Sequence, residues 1–460
     1  MITSSILSKQ STIGKIRLFC TVLLNVSLLG ATISRAAEIF PTPSALKQNV
    51  EFWTKIYSQY STNHVIIHDN NDLSIIYKVV NLDRYFANEE DNRTKWKKIE
   101  EIKDEYRAIL QRLSERQTPI PLDSLTSEER HVYILWAHHH EVDKFRKASG
   151  SIRGQLGLRD RFEKSVQRSG AIFDHIIETL ENYGLPADLA YLPHVESLYD
   201  YNSYSKVGAV GLWQFIRHTG RLFMTINSSI DERCDPFAAT EAAAKLLKLN
   251  MDELQSWPLA ITAYNHGLSG MKNAVSKTGS RDFGDIFLNY KSSTFGFASR
   301  NFYAEFLAAR QVAKNYKSYF GEIELDAPVL YQTIIVPNNV YLRNLASILD
   351  LPEDSLIVYN PAFRWGVTQN KRAIPSGYLL RLPYREGYDP REVFVQSTEP
   401  APLQPKRQRT IEALFSFNLT ASDTLGLLTE ADVLNLLKNP LPSLINRNAT
   451  TEKSRIIGEM

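Results

Sequence analysis

Residues 192–215 read LPHVESLYDYNSYSKVGAVGLWQF. Leu189, Leu192 and Glu196 are spaced by three and four residues, which sets them on one face of a helix. An apolar face is the costliest place for an ionised group, so a glutamate there is held toward its neutral form. A carboxylic acid that is still protonated near neutral pH can deliver a proton to a glycosidic oxygen. Pro193 supplies the plainer reading, a kinked helix that turns Glu196 outward to the surface.

The text downstream bears on that choice. In VGAVGLWQF (207–215), Gly208 and Gly211 stand where the backbone must approach something closely, followed by Trp213 and Gln214. AITAYNHG (260–267) reads as a helix end, with Tyr264 and Asn265 just ahead of Gly267 as C-terminal cap. A tyrosine and an asparagine suit sugar hydroxyls and N-acetyl groups, the first by stacking and both by hydrogen bonding.

The chain has 460 residues, of which 43% are hydrophobic, enough for two to four globular domains. Its 53 basic and 51 acidic residues nearly balance and are scattered, which argues against nucleic acid as a partner. Lys9, Lys15 and Arg17 precede the apolar run LFCTVLLNVSLLGATI (18–33). Ser34 and Ala36 fit cleavage before Ala37, so residues 1–36 read as a signal peptide and the chain as exported to the periplasm or cell envelope. No later segment is long and apolar enough to span a bilayer. Removing the signal takes Cys20 with it and leaves Cys234 alone, so no internal disulfide is expected.

The expected organisation is mainly α. Residues 37–170 read as a helical region, with ALKQNVEFWTKIYSQYS and TKWKKIEEIKDEYRAILQRLSE as its clearest helices and Thr126 or Ser127 capping another. Residues 171–318 hold denser helix signals, among them DPFAATEAAAKLL with Asp235 as N-cap and Pro236 in the first turn. Residues 329–385 read as a small α+β domain of order βααβ, with YQTIIV and YLLRLP as its strands and its own fold. From 399 to 460 a linker leads into a loosely ordered tail with a helix near 429–438.

The ES of Glu196–Ser197, SKVGAVGLWQF from Ser205, and AYNHG at 263–267 occur in the order and spacing of the lytic transglycosylases. The chain resembles their soluble-transglycosylase-like family (family 1), nearest the membrane-bound lytic transglycosylase D group, up to about residue 318. The resemblance implies a lysozyme-like (SLT) domain. It also implies an exo- or endo-acting lyase that cuts the β-1,4 bond between N-acetylmuramic acid and N-acetylglucosamine in peptidoglycan glycan strands. The product end is a 1,6-anhydro ring, and no cofactor or metal is needed. Carried over residue by residue, Glu196 is the catalytic acid/base, while Ser197, Ser205, Gln214, Tyr264 and Asn265 line the substrate site. Residues 329–385 resemble a LysM module, although PNNVYL replaces the usual GDTL start.

Two other functions stay open. A lysozyme-like muramidase needs a second carboxylate, for which Asp200 and Asp235 are candidates. A non-catalytic peptidoglycan-binding protein would have lost the glutamate, which is present. In AHHHEVDKF (137–145), His139 and Asp143 could pair at i, i+4, but Lys144 stands where an HExxH metal motif needs histidine.

Overall fold

The computed structural model describes residues 38–85, 92–117, 119–387 and 389–391. The signal segment and the 399–460 tail, with its expected helix, lie outside them. The chain forms two units, Met1–Pro41 and Thr42–Met460, and every element below belongs to the second.

Helix α1 (Lys47–Ser58) buries Val50, Phe52, Trp53, Ile56 and Tyr57, the stripe its spacing predicts. The region read as helical then departs from expectation. Strands β1 (His64–Asp69), β2 (Ile76–Asn81) and β3 (Ile152–Leu156) form an antiparallel sheet of order β2-β1-β3. The signal was present in HVIIHD and IYKVVN, two β-branched runs around a polar turn in which Asp69 Oδ1 accepts from the amides of Asn71 and Asp72. It was easy to miss because β1 is covered on both faces and shows no alternation. Its second neighbour, β3, lies far along the chain. Helix α2 (Asn92–Glu115) closes over the sheet, so Val65, Ile67 and Tyr77 share one core with Ile99, Tyr106 and Leu110. The helix Ser127–Leu135 has Thr126 as N-cap, in a reciprocal capping box with Glu129.

Of the helices that follow, those that frame the site are α3 (Arg159–Ser169), α4 (Phe173–Asn182), α5 (Leu192–Glu196), α6 (Pro236–Leu254), α7 (Trp257–His266) and α8 (Phe297–Lys314). Asp235 caps α6 as expected, accepting from the amides of Phe237 (3.0 Å) and Ala238 (3.2 Å). Helix α8 is buried on nearly every side and is the axis of this part of the fold. Helix α1 packs along it, with Asn49 Nδ2 donating to Asn301 Oδ1 at 2.7 Å. The first helix of the N-terminal region thus belongs to the core around α8.

The βααβ segment runs β4 (Tyr331–Ile335), α9 (Leu342–Leu349), α10 (Glu353–Tyr359) and β5 (Leu379–Pro383), the strands antiparallel, with one helical turn the sequence reading did not include, Trp365–Thr368, ahead of β5. It is not the self-contained domain that the sequence predicts. Ile230, from the loop ahead of α6, lies fully buried in the core formed by Leu342, Leu345, Leu356, Ile374 and Leu380. Around it the amide of Asp231 donates to Ala362 O (2.9 Å), and that of Arg364 to Ser229 O (3.0 Å). No helix among the described residues is long and apolar enough to cross a membrane.

Candidate functional site

Residues 187–191 form a 3-10 turn that runs directly into α5. Leu189 and Leu192 are fully buried and Glu196 is only 7% exposed, so the three share an inward face. Pro193 sits in the first turn of α5, where its missing N–H costs no hydrogen bond and bends nothing. The outward-turned reading is overturned for that reason. Just beyond, Leu198 (φ 53°) and Tyr199 (φ 57°) adopt left-handed backbone and reverse the chain. Ser197 Oγ ties the reversal to the glycine-rich turn by donating to Leu212 O at 2.8 Å.

Glu196 Oε1 and Oε2 are both buried without a hydrogen-bond partner among the described residues. Burial lifts its pKa well above the usual carboxylate range, and the charge of Glu305 on α8 lifts it further. Tyr264, pushed up by burial and further by the charge of Glu196, donates its hydroxyl to Trp213 O at 2.8 Å. An acid without partners, next to a phenol committed to the backbone, is equipped to donate a proton to whatever enters.

The glycine-rich turn needs its glycines. Gly211 has φ 81°, and a Cβ there would lie 2.0 Å from the carbonyl oxygen of Arg233. Gln214 is itself left-handed (φ 47°), with Nε2 donating to Gly211 O (2.8 Å) and Ser203 O (3.3 Å). Ser205 Oγ accepts from the amide of Ala209 at 2.9 Å. Both side chains spend these groups inside the turn, and Trp213 is buried with Nε1 donating to Thr240 Oγ1 (2.9 Å). Asn265 Oδ1 accepts from Ser299 Oγ on α8 at 3.0 Å.

The fold therefore joins Ser197, Ser205, Gln214 and Tyr264 on the 203–215 turn, with Glu196 just ahead of Ser197, while Asn265 turns instead to Ser299 on α8. Sequence reading missed two residues. Arg233 donates through Nη1 to Gly208 O (2.8 Å) and Phe215 O (3.0 Å) while paired with Asp231, clamping both ends of the turn. Glu305 is another buried acid, set in the apolar run NFYAEFLAA, and its place on an apolar face is the same signal that marks Glu196.

Other candidates resolve otherwise. Asp200 Oδ1 accepts from the amide of Asn202 (3.0 Å), and Asp235 serves as helix cap. His139 Nε2 meets Asp72 Oδ2 at 2.9 Å, whereas Asp143 pairs with Arg146 and Lys147. The i, i+4 pairing fails because the helix ends at Leu135. Cys234 Sγ lies 3.2 Å from the hydroxyl of Tyr204, and burial pushes its thiol up, away from nucleophile behaviour. A cavity of about 760 Å³ opens elsewhere, between α2 and β3; it is lined by Arg153 but by none of the six predicted site residues.

Residues 174–287 match the family model described as "Transglycosylase SLT domain". The chain carries an SLT domain. Residues 331–389 match a second model, "Lytic transglycosylase MltD, LysM-like domain". All six predicted site residues lie inside the SLT match, whereas Glu305 lies beyond it. Membrane-bound lytic murein transglycosylase D of Escherichia coli K12 is 30% identical over 141 residues, and its counterpart from strain O6:H1 gives the same figures. The match covers 29% of this chain and 30% of each relative, so it spans under a third of their length. A solved structure of an inactive mutant of the lytic transglycosylase Slt from Pseudomonas aeruginosa overlaps 33% of this chain and 25% of its own, at 18% identity and a TM-score of 0.26. That overlap is slight.

Proposed function

We propose that the protein is a peptidoglycan lytic transglycosylase of the cell envelope with Glu196 as its single acid/base. The observation that carries the reading is the Glu196 carboxyl, buried and without hydrogen-bond partners, its pKa raised by that burial, inside an SLT domain. Glu196 would protonate the leaving oxygen as the bond to muramoyl C1 breaks. The resulting carboxylate would then take the proton of the C6 hydroxyl as O6 closes on C1, returning the residue to its starting form. Exclusion of water from the site favours ring closure over hydrolysis.

The muramidase reading loses support from its own candidates. Asp200 is tied to a loop amide and Asp235 to a helix end and Arg381. Glu305, pushed up to about 8 by burial, is neutral at pH 7 and so a poor nucleophile or base there. The six residues above would line the glycan site, and export would follow from the N-terminal signal. Digestion of purified sacculi with mass spectrometry of the fragments tests the reading. The expected products are 1,6-anhydromuropeptides, one water lighter than hydrolytic ones; reducing muropeptides as the main product would assign the protein to the muramidases.

A further inference from the structure

Residues 226–231 form a tight hairpin, with Ile226 paired antiparallel to Asp231. Asn227 draws its tip together, Oδ1 accepting from the amides of Ser229 and Ile230, both at 2.8 Å. On one side the hairpin is held by the LysM-like domain. Arg364 donates through Nη1 to Asn227 O (2.9 Å), and Arg372 through Nη1 to Ser228 Oγ (3.2 Å). These contacts add to the buried Ile230 and to the bond from the Asp231 amide to Ala362 O.

On its other side the hairpin reaches the glycine-rich turn. Asp231 and Arg233 are 7% and 4% exposed. Asp231 Oδ1 accepts from Arg233 Nε at 2.9 Å and Oδ2 from Nη2 at 2.8 Å, a two-point pair that fixes the plane of the guanidinium. That plane aims Nη1 at Gly208 O and Phe215 O. The stem of Arg233 packs against Gly220, where a Cβ would lie 3.0 Å from Cδ and 3.2 Å from Cγ. Between the two clamped carbonyls, the turn offers Leu212 O to Ser197, the neighbour of Glu196, and Trp213 O to Tyr264. A chain of polar contacts therefore runs from Ala362 through Asp231 and Arg233 to the turn that bonds Ser197.

We propose that Asp231 is a positioning residue for the reaction at Glu196, and that through it the LysM-like domain contributes to the catalytic turn itself. The proposal rests on the transglycosylase reading. Asp231 is fixed at its backbone by one domain and, with its carboxylate, holds the clamp on the other. Without the carboxylate the guanidinium is free to turn about its Cδ–Nε bond, and Nη1 no longer meets both carbonyls. Gly208 and Gly211, both at positive φ, then leave the turn free to move. Ser197 and Tyr264 lose fixed partners, and Glu196 loses the placement that lets one carboxyl serve both halves of the reaction. Misplacing the acid costs transition-state stabilisation and not binding, so the effect falls on kcat more than on KM.

The test is turnover of a short soluble tetrasaccharide of alternating N-acetylglucosamine and N-acetylmuramic acid by the full chain, because a tether gives nothing on a short substrate. Asp231→Asn should lower kcat at least about tenfold with KM within about twofold. Its pulldown on insoluble peptidoglycan should match wild type. Arg233→Lys, which keeps the charge without the fork, should lose a similar amount. In Asp231→Asn/Arg233→Lys the losses should not add, because one residue acts through the other. An unchanged kcat in Asp231→Asn, with or without weaker pulldown, overturns the proposal, and so do losses that add. If Asp231→Asn does not fold, Arg364→Met loosens the hairpin tip through Asn227 alone. Its kcat should fall at least about threefold, and an unchanged kcat there overturns the proposal instead. Amide hydrogen exchange reads the clamp without turnover: residues 203–215 should exchange faster in Asp231→Asn while α8 does not. Faster exchange in a chain whose wild type releases no anhydro product would defeat the transglycosylase reading and leave the clamp standing. Unchanged exchange beside normal product would overturn the clamp alone.

Discussion

Arg381 on β5 forms a buried ion pair with Asp235, the residue that caps α6. The guanidinium also lies over the rings of Phe237 (4.4 Å) and Tyr331 (5.7 Å), and those rings meet edge to face at 4.7 Å. One side chain therefore links the LysM-like domain to the helix that follows the Arg233 clamp.

Arg381→Met should destabilise the whole of the Thr42–Met460 unit. It leaves Asp235 buried with its two amide bonds but without its cation, and breaking a buried pair costs about 3–5 kcal/mol, toward the lower end where such bonds persist. Denaturant unfolding should show a lower midpoint with one transition. Deletion from residue 325 onward should be more severe, because Ile230 then loses its surroundings. A truncated chain that melts at the wild-type temperature would show that the shared core contributes nothing.

Glu196→Gln should abolish cleavage while leaving circular dichroism and melting close to wild type. The amide keeps the shape but cannot give up and recover a proton, so the expected fall is at least about a thousandfold. Fragment release from sacculi is the measurement. Turnover within tenfold of wild type would place the chemistry elsewhere.

His194 makes stability sensitive to acid. Burial lowers its folded pKa to about 3 against 6.5 unfolded. A lowered folded value gives stability that is complete above pH 6.5 and lost as pH falls toward 3, at no more than about 1.4 kcal/mol per pH unit for one group. His194→Phe, which keeps a ring beside Phe162 and Tyr199, should lose less stability between pH 7 and pH 5 than wild type. Equal losses in both proteins would remove His194 from the account.

Gly211→Ala should cost both fold and activity. The new methyl would meet Arg233 O at 2.0 Å on a backbone with φ 81°, and strain of this kind costs about 1–3 kcal/mol before the clash is counted. Gly208→Ala is the control: its φ is 79°, yet nothing lies within 4 Å of the added carbon. It should be the milder of the two by melting temperature. Equal effects would mean that backbone conformation alone governs the turn.

The sequence by itself determined what depends on near neighbours. The spacing of Leu189, Leu192 and Glu196 put the acid on one helix face with two leucines, although Pro193 left an outward kink open until the burial decided it, and Asp235–Pro236 marked the start of α6. The leucines of 342–356 gave the two helices between β4 and β5. Each rests on periodicity or capping within a few residues, where chain geometry leaves little freedom.

Only the tertiary structure decided the rest, because it depends on pairings between remote segments. Strand β1 carried a β-branched signal but was easy to miss without β2 and β3 beside it, since a strand covered on both faces lacks the alternation that marks one in sequence. That the charge of Glu305 adds to burial at Glu196 depends on α8 packing against α5. The LysM-like domain reads as separable along the chain, but Ile230 and Asp235 come from a loop nearly a hundred residues earlier. Long-range contacts leave no local trace because what they require of each residue is a volume or a charge, which many sequences satisfy, and only closure of the core selects the partner.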